Sequence, residues 1–184
     1  MEITGERIIL RDLSESDREF WAELEGHELT SKYENSRPDA AQIAEDFGKA
    51  LAYAAAIPRE SFKLAVCLIE DQTPIGVISI KLNWEDIREW EIGWALHPQY
   101  WGQGYATEAV KLLIGYAFAR LNAHRIVAYA NAANQRSERL MQRAGMTRDG
   151  VLRETRYCNQ EWCDELIYSV LEKEWTKEPG NQQD

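Results

Sequence analysis

Apolar and polar positions recur along this chain with two different periods, and the changes of period divide it into elements. Arg7 to Arg11 (RIILR), an apolar centre between charged ends, reads as a strand. Ser14 and Asp17 then form an N-cap pair ahead of Phe20, Trp21 and Leu24, whose spacing predicts a helix. Residues 26–38 are polar and irregular. Beyond them Asp39 is placed to cap a second helix with Ile43, Phe47, Ala50, Leu51 and Ala54 at helical spacing, ended by Pro58. Two apolar runs, Phe62 to Ile69 and Ile75 to Leu82, flank the turn from Glu70 to Pro74 and predict a hairpin. After an acidic connection from Trp84 to Glu89, Trp90 to Leu96 (WEIGWAL) alternates Trp90, Ile92, Trp94 and Leu96 with Glu91, Gly93 and Ala95. That is the period of a strand with one bulky and one small face.

The remaining chain continues in the same way. Val110, Leu113, Ile114 and Ala117 form one stripe of a helix from about Ala106 to Leu121, followed by a strand from Arg125 to Ala130. Asn134 is placed to cap a short helix holding Leu140 and Met141, with Gly145 as its stop. Val151 to Leu171 reads as two strands around Asn159-Gln160. The order βαα, three antiparallel-type strands, αβα and a closing hairpin predicts an α/β fold: a mixed sheet with helices on both faces. Residues 1–175 are expected to form a single domain and 176–184 a polar tail.

Composition narrows the function. At 184 residues, with 45% apolar and 28% charged side chains, the chain suits one globular domain. Its 31 acidic against 21 basic side chains give −10, which repels phosphate backbones and anionic lipid and argues against nucleic-acid and membrane partners. No apolar stretch approaches the roughly 20 residues of a bilayer span, and MEITGERIIL lacks a signal layout, so a cytoplasmic protein is expected. Cys67, Cys158 and Cys163 form no C-x-x-C pair and are expected to be reduced thiols. His27, His97 and His124 fall at no metal-ligand spacing, so no metal is expected.

Candidate chemistry concentrates at Gln99 to Gly104 (QYWGQG), between the WEIGWAL strand and an amphipathic helix. Glycines there permit a tight turn with outward N–H groups, and the positive end of the helix makes a cradle for pyrophosphate. The run lacks the Gly-Lys-Ser/Thr ending of a P-loop, and Thr107 stands where a dinucleotide fingerprint requires its third glycine. With the letters alone, a purely structural turn remains an equal reading.

Read together, Glu91-Ile92-Gly93-Trp94 to Tyr105-Ala106-Thr107-Glu108-Ala109 resembles motif A of the GNAT N-acetyltransferases, with its Q/R-x-x-G-x-G/A signature. Gly5 to Arg11, Asn134-x-x-Ser137, Arg143-Ala144-Gly145-Met146 and Glu161-Trp162-Cys163-Asp164 with Glu174-Trp175 are similar to the RimJ/RimL-type branch. The resemblance implies a GNAT fold: a mostly antiparallel sheet splayed between two parallel strands, here WEIGWAL and RIVAYA. It implies acetyl-CoA in the splay, with Leu96, Gln99, Gly102, Gln103, Gly104, Tyr105, Ala106 and Thr107 at the cofactor. Asn134 and Ser137 would lie at the pantetheine arm, and Arg143 at the adenosine 3′-phosphate.

Glu91 shares the small face of its strand with Gly93 and Ala95, so it is the candidate general base; the plain alternative is an exposed or ion-paired carboxylate. Met141 stands where many relatives place a tyrosine acid, which leaves Ser137 or water to serve the departing thiolate. A thiol with an ordinary pKa near 8.5 leaves without much help. Met146 replaces the usual phenylalanine after Gly145, an apolar swap that concerns packing. Tyr157 and Tyr168 read better as packing than as acceptor-side residues. The acidic runs Asp17 to Glu28 and Glu85 to Glu91 read first as solvated surface and otherwise as attracting a cationic acceptor; the acceptor is expected to be a cationic or neutral amine, either a protein N-terminus or a small molecule. A non-catalytic CoA-binding module and a nucleotide-dependent enzyme are the competing functions, and the assembly is either a monomer or a homodimer.

Overall fold

The computed structural model describes residues 1–175, so the expected tail at 176–184 lies outside the described residues. Strand β1 (Glu2–Thr4) and strand β2 (Ile8–Asp12) lead through a 3-10 turn into helices α1 (Arg18–Gly26) and α2 (Ala40–Tyr53). Strands β3 (Ser61–Leu68), β4 (Pro74–Trp84) and β5 (Glu89–Leu96) form an antiparallel meander. Helix α3 (Tyr105–Arg120), strand β6 (Arg125–Asn131), helix α4 (Gln135–Arg143), strands β7 (Thr147–Cys158) and β8 (Glu161–Leu171) and the short helix α5 (Glu172–Trp175) follow.

The strands make one eight-stranded sheet in the order β1-β2-β3-β4-β5-β6-β8-β7, antiparallel throughout except between β5 and β6. Strand alternation builds two cores. On one face Leu64, Ile78 and Ile92 pack with Leu113 and Ile114 of α3 and with Leu140 and Met141 of α4. On the other, Ala65, Cys67 and Val77 meet Trp21 and Leu24 of α1 and Phe47 of α2. Two helices on each face cover the central strands from water, the arrangement that the order of elements predicts.

The capping signals have direct physical causes. Asp39 accepts the Gln42 N–H at 2.9 Å to start α2, and Asn134 accepts the Ser137 N–H at 3.2 Å to start α4. Gly145 takes φ +84° just past α4, a backbone angle that favours glycine and stops the helix. Helix α2 ends at Tyr53, one residue before Ala54 and well short of Pro58. Three features depart from the sequence pattern. Strand β1, at three residues, is too short to show a period, and it is fixed by antiparallel pairing of Ile3 with Leu10. Strand β7 begins at Thr147 rather than Val151, because Thr147 and Arg148 already pair with Ser169 and Tyr168. The connection from Trp84 to Glu89 shrinks to a turn over 85–88, since Trp84 and Glu89 pair with each other. Among the described residues no helix is long and apolar enough to cross a membrane.

Asp17 is buried rather than part of a solvated acidic run. Its carboxylate takes both terminal nitrogens of Arg11, at 2.8 and 2.7 Å, and the Ser14 N–H at 2.8 Å, tying α1 to β2. Burial alone would raise its pKa, but the Arg11 fork and the Ser14 N–H outweigh that and hold the carboxyl below its ordinary 3.8. A group with a depressed folded pKa contributes stability that is present above its unfolded value and is lost as pH falls through the folded one. Asp17→Asn is therefore expected to destabilise the fold by about 3 kcal/mol at pH 7, as removal of one partner from a buried pair does. Urea unfolding should show that gap closing below about pH 4; a gap constant from pH 7 to 3 would show that the loss is steric.

Candidate active site

Strands β5 and β6 pair in parallel at only three positions, Glu89 with Arg125, Trp90 with Ile126 and Glu91 with Val127. Beyond these the strands separate, although each stays fully paired on its other side, β5 with β4 as far as Leu96 and β6 with β8 as far as Asn131. A cleft bordered by unpaired peptide edges therefore opens in the middle of the sheet. Trp101 partly closes its β5 side by donating its indole N–H to the Leu96 carbonyl at 2.7 Å.

The QYWGQG turn stands at the open end of this cleft. Gly102 and Gly104 take φ +77° and +87°, and Gly104 is the N-cap residue of α3. The first intrahelical bond runs from the Glu108 N–H to the Gly104 carbonyl. The Gly104, Tyr105, Ala106 and Thr107 N–H groups have no acceptor among the described residues, and no side chain caps the helix. Four free donors at the positive end of a helix define an anion site. Gln99 helps to close the turn, its carbonyl accepting from the Gln103 side chain at 3.0 Å.

Three arginines converge on this turn in a chain with an overall charge of −10. Arg143 reaches Thr107 Oγ1 at 3.4 Å, and the Arg136 guanidinium lies 4.4 Å from the centre of the Trp101 ring. Arg7 donates to the Gln103 carbonyl at 2.9 Å and to Glu108 at 2.9 Å, and stacks 4.7 Å over Tyr105. Of these only Arg143 was visible as a candidate in sequence. Arg7 meets Glu108 across 101 residues, a separation that no local pattern reports.

Glu91 lies at the vertex of the cleft, five residues of extended strand or about 17 Å from Leu96. It is partly exposed and pairs with its cross-strand neighbour Lys81, Nζ to Oε2 at 3.1 Å. Tyr129, on the same face of β6, escaped the sequence reading; burial and then the Glu91 carboxylate push its hydroxyl pKa up, which keeps it protonated. Asn134 and Ser137 start α4, while Met141 is fully buried one turn beyond Ser137 and offers no proton donor. Tyr168 is also buried, bonded to Glu138 at 2.9 Å, whereas Tyr157 is exposed, its ring tilted against that of Trp162 at the hairpin tip.

The segment 26–38 crosses to the β7–β8 hairpin on the Glu91 side of the sheet. The Asn159 side chain donates to the Lys32 carbonyl at 3.2 Å, the Cys158 thiol contacts the Tyr33 carbonyl at 3.4 Å, and Arg156 reaches Glu34 at 3.5 Å. An open polar hollow of about 430 Å³ lies between this segment and Asn159. Within the acidic run Glu85 to Glu91, Glu89 is buried against Arg125 and bonded to Asn83 and Glu91 carries Lys81, whereas Glu85 and Asp86 are exposed. Burial, which the letters do not encode, divides the run. Cys67, Cys158 and Cys163 are free thiols, and no cluster of metal-ligating side chains is present among the described residues.

A parallel pair splaying at the centre of an antiparallel sheet, with an anion cradle at the mouth of the splay, defines an acyl-CoA-type transferase fold. The chain belongs to the acetyltransferase (GNAT) domain family, whose model matches residues 7–147, and it is an N-acetyltransferase. It is 31% identical over 176 residues to an uncharacterized N-acetyltransferase, YnaD, of Bacillus subtilis, a match covering 95% of this chain and 99% of that one. A [ribosomal protein uS5]-alanine N-acetyltransferase of Escherichia coli is 27% identical over 89 residues, 48% of this chain and 45% of that one. The crystal structure of a GNAT-family acetyltransferase from Bacillus anthracis superposes with a TM-score of 0.81 at 28% identity, over 94% of this chain and 99% of that one.

Gly104→Val tests the local argument before any ligand is added. Placing a β-branched side chain at φ +87°, with its Cβ 3.3 Å from Arg7, is expected to cost about 1–2 kcal/mol, read as a lowered Tm in a protein that still folds. An unchanged Tm would mean that the turn relaxes to a negative φ at no cost.

Proposed function

We propose that this enzyme transfers the acetyl group of acetyl-CoA to a primary amine in a ternary complex. The observation that carries this reading is the row of unpartnered N–H groups from Gly104 to Thr107, at the mouth of a cleft with unpaired strand edges. The donor fits these residues. The cradle suits pyrophosphate, and the free edges of β5 and β6 suit the amides of a pantetheine arm. Asn134 and Ser137 at the start of α4 lie beside that arm, and Arg143 is available to the 3′-phosphate. Acetyl-CoA supplies an activated acyl group and a thiolate that leaves readily.

The chain's own residues do the rest. Gly93 and Ala95 leave room above β5, on the face where the segment 26–38 and the β7–β8 hairpin wall the acceptor side. The Glu91 carboxylate, steadied by Lys81 through one oxygen, takes a proton from the incoming ammonium. Ser137 is the hydroxyl one helical turn ahead of the buried Met141, on the side of α4 where a proton donor to the thiolate is needed. The relative named for a ribosomal-protein alanine supports an amine on a protein, and a small neutral or cationic amine fits the same chemistry. The free thiols support placement in the cytoplasm.

Acetyl-CoA at 100 times its Kd is expected to stabilise the fold by about 2.7 kcal/mol, and stabilisation without turnover on any amine would favour a binding module over an enzyme. Glu91→Gln is expected to lower turnover about 10²- to 10⁴-fold while leaving acetyl-CoA affinity intact. The defect should shrink as pH rises and the amine loses its proton to solvent. Thiol release across α-amines, polyamines and lysine-like amines from pH 6 to 9 measures both effects; a defect independent of pH would remove Glu91 as the base.

A further inference from the structure

The pyrophosphate cradle is shaped by a bracket reaching it from the other end of the chain. Glu108, in the first turn of α3, accepts the Glu6 and Arg7 N–H groups through Oε1 at 2.9 and 2.8 Å, and the Arg7 Nε through Oε2 at 2.9 Å. The approach is tight: a Cβ on Gly5 would stand 2.7 Å from Glu108 Oε1. The bracket fixes the Arg7 guanidinium against the Tyr105 ring, with Nη1 on the Gln103 carbonyl at 2.9 Å. That carbonyl belongs to the same peptide unit as the Gly104 N–H. In a planar trans peptide the two groups point in opposite directions. A carbonyl turned onto the guanidinium therefore turns the Gly104 N–H away from it, to the side left open for an anion. A charge-assisted bond to the carbonyl also polarises the peptide and strengthens its N–H as a donor.

We propose that Arg7, held by Glu108, is a positioning residue for the donor's pyrophosphate: it sets the Gln103–Gly104 peptide in the orientation that the anion requires and makes the enzyme prefer full CoA over its pantetheine fragment. The role rests on the acetyl-CoA reading above and deepens it. Arg7 contributes through preorganisation. Without the bracket, the Gln103–Gly104 peptide loses the bond that fixes its carbonyl next to a glycine at φ +87°, and ligand binding would have to orient it. The guanidinium's positive charge is balanced by Glu108, so what the bracket adds is orientation more than net attraction.

The experiment is calorimetric titration of CoA, and of S-acetylpantetheine, which lacks the pyrophosphate, into the wild type and the Arg7→Gln, Arg7→Lys and Glu108→Gln variants. Steady-state kinetics and ligand-free thermal unfolding accompany it. Arg7→Gln is expected to weaken CoA about tenfold or more, with S-acetylpantetheine binding unchanged. KM for acetyl-CoA should rise by the same factor while kcat at saturation holds within about twofold. Arg7→Lys, which keeps one donor, should recover part of the affinity, and Glu108→Gln should show the same selective loss in a protein that retains Arg7. An equal loss for both ligands would reduce the bracket to a general support of the fold and overturn the inference, as would undiminished CoA affinity in Arg7→Gln. A wild type that binds neither ligand would overturn the donor assignment itself, a result separable from failure of the bracket alone.

Discussion

Everything chemical in this molecule depends on a contact that stops: the parallel pairing of β5 with β6 ends after Glu91 and Val127. Ending a ladder in the middle of a sheet exposes peptide groups that elsewhere would be paired, an arrangement that costs free energy unless water or a ligand satisfies them. The separation is forced by commitments on either side. Strand β5 is held by β4 through Leu96, and β6 by β8 through Asn131, so two sheets complete in themselves share only three residue pairs. Right-handed twist then carries the two halves apart. The large core on the α3 and α4 side anchors both halves, since Ile92 and Leu96 of β5 and Ile126, Ala128 and Ala130 of β6 all lie in it. The gap is thus built into the packing of the fold, which is what a binding site for a long, jointed ligand needs.

Charge in this protein is local, and the net value is a poor guide to it. Several acidic residues serve as local ion-pair partners: Asp17 to Arg11, Glu89 to Arg125, Glu91 to Lys81, Glu108 to Arg7 and Glu165 to Arg156. At the cradle the balance reverses, because Arg7, Arg136 and Arg143 gather against Glu108 alone among the described residues, where four backbone donors also converge. A chain of net −10 can therefore hold a polyanion, provided that short-range geometry decides the contact.

Long elements were legible in the sequence because each repeats a signal many times. Helix α3 shows its stripe through Val110, Leu113, Ile114 and Ala117, all fully buried, and β5 shows its alternation through Trp90, Ile92 and Leu96. Caps at Asp39 and Asn134 were legible for a different reason, since their hydrogen bonds close within three residues. The glycine turn could be read as a cradle only because a strand precedes it and a helix follows. What stayed hidden is whatever depends on residues far apart or on burial. Strand β1 exists through β2, Asp17 and Glu89 are acidic letters inside the protein, and Arg7 reaches the site across 96 residues.

Helix α4 shows how one short element reconciles packing with chemistry. Its inner side, Leu140 and Met141, belongs to the core on the α3 face. Burying a hydroxyl without a partner is unfavourable, whereas methionine fills the same irregular space with no polar atom to satisfy. The first turn is different. Asn134 and Ser137 are partly exposed there; the Asn134 side chain spends its oxygen on the Ser137 N–H, and the Ser137 hydroxyl has no hydrogen-bond partner among the described residues. Packing thus fills the helix's middle with an apolar side chain and leaves a hydroxyl at its start. For the proposed reaction that arrangement suffices, because a thiolate needs less proton assistance to depart than an alkoxide or an amine.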